Sequence, residues 1–276
     1  MTTLHLINAF TATPFSGNPA AVCVLQAPVS HAWMQLMARE MNLSETAFLH
    51  PVEGAAKERV FALRWFTPVT EVALCGHATL ASAFTLWETG VLGVDEPARF
   101  DTRSGRLTCT RAAPQGSAES WISMDFPAKV CTPCAPPEGL AAALGCELLF
   151  CGNNGMDYLV EVRDETILRA LRPEPSRLAQ LPVRGVIVTC RSQTQPFDFV
   201  SRFFAPGAGI DEDPVTGSAH CALGPYWSAL LHKTEFTAFQ ASLRGGVVRV
   251  RLEGERVLLG GQAVAMGRVQ LLHSPF

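Results

Sequence analysis

The sequence predicts an α+β protein of two pseudo-symmetric lobes, each a curled β-sheet or barrel wrapped around one central α-helix. Three observations predict it. First, two segments match across the halves: Leu74-Cys75-Gly76-His77-Ala78-Thr79-Leu80-Ala81 and Asp213-Pro214-Val215-Thr216-Gly217-Ser218-Ala219-His220. Each ends a polar knot in Gly and opens into a small-residue run that reaches a Trp about three turns later, at Trp87 or Trp227. Second, Arg103-Ser104-Gly105 and Arg244-Gly245-Gly246 follow at the same distance from Gly76 and Gly217, as duplication of one unit would leave them. Third, the runs Gly76 to Trp87 and Gly217 to Leu231 are apolar nearly all round, which demands burial on every side, and the segments around them are strand-like.

In chain order, Leu4 to Ala9 alternates weakly as a strand. Pro14 to Pro19 is turn chemistry, and Ala20 to Leu25 is a short apolar strand. Trp33, Leu36, Met37 and Met41 recur at helical spacing, which predicts a helix over His31 to Met41. Asn42 to Leu49 is a strand carrying one acid, and Val60 to Phe66 alternates with Phe61, Leu63 and Trp65 on one face. Arg106 to Thr110 and Ser120 to Phe126 are expected to pair. Pro127 to Pro137, rich in Pro and Cys, is the expected linker between lobes of 1–127 and 128–265, with a strand at 266–276 able to return to the first lobe. The second half repeats the plan. It has a short helix at Glu138 to Leu144 stopped by Gly145, a strand at Tyr158 to Val162, and a helix at Thr166 to Leu171. Strands follow at Val186 to Cys190 and Phe197 to Phe204, then the second apolar helix. Val247 to Leu252 with Val257 to Val264 is an expected hairpin.

The 276 residues are 48% apolar and 17% charged, with a net charge of −3, so two substantial cores are affordable. No basic patch or long charge run is present, which argues against nucleic acid and anionic membrane as partners. The N-terminus lacks a basic stretch followed by an apolar one, and no segment is long enough for a membrane span, so a cytoplasmic protein is expected. Nine cysteines without a secretory signal fit free thiols in a reducing compartment. Cys131-Thr132-Pro133-Cys134 is a lone CxxC best taken as part of the Pro-rich connector, since no second Cys/His pair follows at zinc-ligand spacing.

A helix N-terminus offers unpaired N–H groups and partial positive charge, and a leading Gly admits a ligand close to the backbone. Two such ends suit a small carboxylate. Either alone is more plainly a tight turn, with Ser218 an ordinary N-terminal cap; the repetition favours the anion. Glu45 sits in an otherwise apolar strand, where burial would raise its pKa and suit proton transfer near neutrality, though an exposed strand acid fits as well. His77 and Asp213 stand at the two helix mouths, where a structural hydrogen bonder and a turn residue are the plainer readings. Cys75 stands beside His77, with a small buried residue as its plainer reading. Gly207-Ala208-Gly209 is no dinucleotide fingerprint, and no Walker A, HExxH or GxSxG motif occurs, so neither a metal nor an organic cofactor is implied.

Several strings together resemble one family. They are Asn8-Ala9-Phe10 with Gly17-Asn18-Pro19, Asn42-Leu43-Ser44-Glu45-Thr46-Ala47-Phe48, Arg64-Trp65-Phe66-Thr67-Pro68, Glu71 through Thr79, and Phe204-Ala205-Pro206 through Gly209-Ile210-Asp211-Glu212-Asp213-Pro214-Val215-Thr216-Gly217-Ser218-Ala219-His220. They run in order along nearly the whole chain and resemble the phenazine-biosynthesis PhzF-like isomerases, which share the diaminopimelate epimerase-like fold. The resemblance implies an active site between two lobes, a homodimer, no cofactor, and Glu45 as catalytic acid/base with His77, Asp213 and Ser218 as its partners. Gly76, Gly217, Cys75 and Asn18 form the expected substrate-binding set. The implied reaction is a cofactor-independent proton shift on a small carboxylate-bearing substrate. A two-thiol racemase or epimerase is the alternative, disfavoured because Asp213-Pro214-Val215-Thr216 carries no thiol and Cys221 lies a turn inside the helix. A non-enzymatic binding or interaction protein on the same fold is the third reading.

Overall fold

The computed structural model describes residues 2–52, 58–112 and 120–273. Met1 and 274–276, the outer ends of the expected first lobe and of its expected returning strand, lie outside the described residues. The chain divides into two compact units, one running to Asp125 and resuming at Gly260, the other spanning Phe126–Leu259.

The first unit contains β1 (Thr3–Ala9), β2 (Asn18–Val24), α1 (His31–Met41), β3 (Glu45–Pro51), β4 (Val60–Phe66), β5 (Glu71–Val72), α2 (Gly76–Glu88), β6 (Ala98–Thr102) and β7 (Gly105–Ala112). The chain leaves it through β8 (Trp121–Pro127). The second unit holds β9 (Thr132–Pro133), α3 (Leu140–Leu144), β10 (Phe150–Asn153), β11 (Asp157–Glu161), α4 (Glu165–Ala170), α5 (Pro175–Leu178), β12 (Gly185–Arg191), β13 (Phe199–Phe204), α6 (Gly217–Leu231), β14 (Glu235–Gln240) and β15 (Gly246–Glu253). After β16 (Arg256–Gly261), β17 (Ala263–Gln270) pairs with β1.

Pairing shows the duplication directly. The first sheet runs β17-β1-β2-β3-β4-β6-β7, with successive pairs antiparallel, antiparallel, parallel, antiparallel, parallel and antiparallel. The second runs β9-β10-β11-β12-β13-β14-β15 with the identical series. Each parallel pair needs a crossover. The first is made through α1 or through α4 and α5, and the second through the long buried helix, α2 or α6.

Both apolar helices span the residues their sequence predicts to within a residue. Along α2, Ala78, Leu80, Ala81, Ala83 and Leu86 are fully buried, against β1, β2, β3 and β17, each large side chain contributing about 1.5–3 kcal/mol. Its hydroxyls are buried too, and they turn back on the helix: Thr79, Ser82 and Thr85 donate to the carbonyls of Cys75, Ala78 and Ala81 at 2.6, 2.7 and 2.8 Å. In α6, Pro225 has no N–H for the Cys221 carbonyl, and the Lys129 N–H fills the vacancy at 2.9 Å.

Several expectations shift. Asn18 and Pro19 belong to β2 rather than to the turn, which is closed by Gly17 at φ +71°; a Cβ there would stand 2.3 Å from the Ala9 carbonyl oxygen. Pro127–Pro137 is not a bare connector, because Thr132–Pro133 adds a strand to β10. The segment Val257 to Val264 is not one strand: it divides into β16 and β17 around Gln262. Two- to six-residue strands such as β5, β6, β9, β10 and β14 are too short to declare themselves by alternation.

Each long helix is preceded by one acid clamped by arginine. Glu71 accepts both Arg64 Nε and Nη2, at 2.7 and 2.8 Å, and also faces Arg103 at 2.9 Å and His31 at 3.5 Å. Glu212 receives Arg202 in the same bidentate way at 2.7 and 2.9 Å. Both acids lie five residues before the helix-opening glycine. Hydrogen bonding to Arg64 holds the Glu71 carboxyl below the usual carboxylate range despite burial. Glu71→Ala is expected to lower unfolding free energy by about 1–3 kcal/mol in urea titrations at pH 7, because Arg64 and Arg103 lose their shared partner; an unchanged midpoint would show that the clamp is not stabilising.

Candidate active site

The first unit holds five of the eight residues singled out by sequence: Asn18, Glu45, Cys75, Gly76 and His77. Asn18 opens β2, Glu45 opens the parallel strand β3, and Cys75 and His77 flank Gly76 at the start of α2. The register sets Glu45 beside Ala20, two residues along β2 from Asn18. α1 ends on Asn42 in the left-handed conformation, its N–H on the Ala38 carbonyl, and this tight stop turns the chain into β3 at Glu45. All four side chains are buried, Glu45 at 9% exposure and His77 at 4%.

His77 is the hub. Asn18 Nδ2 lies 3.1 Å from its Nδ1, and Cys75 Sγ lies 3.4 Å from the same atom. An amide NH2 only donates, so Nδ1 is the acceptor and the ring proton sits on Nε2. That Nε2 lies 3.3 Å from Glu45 Oε2, yet it is buried and no hydrogen-bond acceptor among the described residues is aligned with it. Burial pushes the imidazole pKa down to about 3, so His77 is neutral at physiological pH and its contact with Glu45 is that of a neutral donor beside an acid.

The three potential ligand atoms of Glu45, Cys75 and His77 lie within 4.8 Å of one another. Cys75, however, faces Nδ1 and Glu45 faces Nε2. A metal on either nitrogen would leave one of the two on the far side of the ring, so this set fits a proton-handling group better than a chelate.

In the second unit, Gly217 opens α6 and Thr216 is its N-cap. Asp213 Oδ2 accepts the Thr216 hydroxyl at 2.6 Å. Buried Gln240 braces this turn: its Oε1 accepts the Thr216 N–H at 2.8 Å, and its Nε2 donates to the Asp213 carbonyl at 2.8 Å and to the Thr216 hydroxyl at 3.1 Å. The Ser218 hydroxyl accepts from Arg184 Nη2 at 3.0 Å, and Arg184 is itself held by both oxygens of Asp157 at 2.9 and 2.5 Å. Neither Cys75 nor Thr216 caps its helix with a side chain, so the first-turn amides are not taken up by their own cap. Gln240, Arg184 and Asp157 are additions that sequence reasoning missed. Of the predicted residues, Asn18, Glu45, Cys75 and His77 gather around Gly76 in the first unit, while Asp213, Gly217 and Ser218 lie at the Thr216 turn in the second.

Cys221 does not stand at the α6 mouth. Its thiol lies inside the helix, 3.7 Å from the Gly217 carbonyl, and burial pushes its pKa up to about 12. His220, also buried, donates Nδ1–H to the Thr216 carbonyl at 2.8 Å and is pushed down to about 4.

The profile of the PhzC-PhzF family, described as phenazine biosynthesis-like protein, matches residues 7–268. A protein of Halalkalibacterium halodurans named as an uncharacterized isomerase is 48% identical, covering 98% of both chains. A crystal structure of a PhzF-family phenazine biosynthesis protein from Enterococcus faecalis superposes with a TM-score of 0.88 at 39% identity, covering 97% of each chain. A hydroxyproline epimerase from Agrobacterium vitis matches with a TM-score of 0.62 at 12% identity, over 97% of this chain and 91% of its own, a likeness of fold.

The two buried histidines set a pH dependence. Each folded-state pKa lies below the unfolded 6.5, so the stability of the neutral rings is present above that value and is lost as pH falls toward the folded values. Each costs up to about 1.4 kcal/mol per pH unit across that window. Urea midpoints are expected to drop from pH 7 to pH 4.5 in the wild-type protein and to drop less steeply in His77→Gln; equal slopes would contradict a neutral, buried His77.

Proposed function

The chain belongs to the PhzC-PhzF family of phenazine biosynthesis-like proteins, and on that premise we propose that it is an isomerase that shifts a proton on a small carboxylate-bearing substrate, with Glu45 as general acid/base. The observation that carries this reading is the buried Glu45 carboxyl beside the Nε2 of a neutral His77 whose tautomer follows from the Asn18 amide at Nδ1. A carboxyl held out of water is suited to taking a proton from an activated carbon and returning it at another position.

In this reading the Nε2–H of His77, which lacks an aligned partner, donates to a substrate oxygen and absorbs charge as the carbon is deprotonated. A neutral imidazole performs this role without giving its proton away. The amides at Gly76 and His77 receive the substrate carboxylate, helped by the positive end of the α2 dipole. Asp213 and Ser218 are assigned substrate-orienting roles, with Gln240 and Arg184 holding them in place. The two-thiol alternative is disfavoured on specific grounds: Cys221 is sequestered in its helix, and Cys75 is engaged with His77 Nδ1.

Incubation of candidate cyclic or α-substituted carboxylates in D2O tests the proposal. The wild-type protein is expected to exchange a carbon-bound hydrogen. Glu45→Gln is expected to lose at least about 100-fold in exchange rate while still binding the same carboxylate. Retained exchange in Glu45→Gln together with its loss in Cys75→Ala would overturn the Glu45 assignment, and binding without exchange in the wild-type protein would favour a binding protein.

A further inference from the structure

The CxxC segment has a third thiol against it. β9 adds to β10 with Thr132 opposite Asn153 and Pro133 opposite Gly152. Continued by one position, this register sets Cys134 opposite Cys151, and the Cys134 N–H donates to the Cys151 carbonyl at 3.0 Å. The two Sγ atoms are 3.8 Å apart, in van der Waals contact.

We propose that Cys134 and Cys151 are a redox-active dithiol that closes to a disulfide by exchange with a small-molecule disulfide of the glutathione type. Residues directly opposed on antiparallel strands have Cα atoms about 4.5–5.5 Å apart, inside the roughly 4.4–6.8 Å that a disulfide spans, so closure needs side-chain rotation with little backbone movement. The two thiols differ in access. Cys134 is exposed and meets the oxidant, whereas Cys151 is buried behind it. Cys131, the other member of the CxxC, is less suited. It packs over Gly152, whereas the contact of the Cys134 Sγ is with Cys151.

The exchange balances in two steps. The Cys134 thiolate attacks one sulfur of glutathione disulfide, forming a mixed disulfide and expelling one glutathione thiolate. Cys151 then gives up its proton and attacks Cys134 Sγ, forming the intramolecular bond and expelling the second glutathione thiolate. Two protein thiols are oxidised, one small disulfide is reduced to two thiols, and the two protons pass to the departing thiolates. The bond would clip the segment carrying α3 at its two ends and fasten β9 to the strand that leads into the Asn153–Asp157 turn. This site lies wholly in the second unit and does not depend on the Glu45 reading.

Full-length protein incubated with glutathione disulfide, then analysed by intact mass and non-reducing peptide mapping, tests this. The expected product is lighter by two hydrogens, links the Cys134 and Cys151 peptides, and reverts with dithiothreitol. Cys131→Ser should still form it and Cys134→Ser should not; Cys134 is exposed, so this variant does not depend on repacking a core. Cys151→Ser should instead retain glutathione on Cys134. A Cys131–Cys134 bond, a lasting glutathione adduct on Cys134 in the wild-type protein, or no change in mass would overturn the proposal.

Discussion

A helix buried on every side takes its polar ends into the interior with it, and this constraint shapes both halves of the protein. The interior hydroxyls of α2 turn back onto its own carbonyls, and in α6 the carbonyl that Pro225 leaves open is filled by a neighbouring backbone N–H. What cannot be folded back is the first turn, whose amides project beyond the helix. The strand-to-helix turn that delivers it must therefore be fixed by something other than the helix. In each unit a Glu–Arg clamp whose acid lies five residues upstream of the helix-opening glycine braces it. The same turn that satisfies the fold also presents a cluster of buried polar groups.

The two units keep this scaffold and diverge in what stands at the helix mouth. In the first, Asn18, Cys75 and Glu45 surround a neutral imidazole, the arrangement on which the proposed proton shift rests. In the second, Asp213, Thr216 and Gln240 form a closed hydrogen-bond cycle, and Ser218 is tied through Arg184 to Asp157. The backbone plan is duplicated; the chemistry is not. This division separates the protein from a scheme with equivalent groups at both mouths, and it explains why Glu45 and His77 carry the proposed reaction.

Much of this was legible in the sequence because it depends on local pattern. An all-apolar run opened by Gly defines α2 and α6, and a lone acid in an apolar strand defines Glu45. The Arg–Glu clamps left a signal that could have been found, since Glu71 and Glu212 share one offset from Gly76 and Gly217, but an Arg on the preceding strand and a Glu after it disclose their contact only through strand geometry. Asp157, Arg184 and Ser218 are separated by tens of residues and meet only in the folded unit. β9 has two residues and no periodicity, so the opposition of Cys134 and Cys151 was invisible, and the CxxC read as a connector. The charge state of His77 is likewise a property of burial, which sequence does not state.

Nitrogen NMR of the 15N-histidine-labelled protein tests whether His77 is a neutral, Nε2-protonated imidazole beside Glu45. Nε2 is expected to carry the proton and Nδ1 to remain an acceptor from pH 8 down to at least about pH 5, with the assignment made by loss of the signal in His77→Gln. A His77 that titrates near pH 6.5, or that holds its proton on Nδ1, would contradict it.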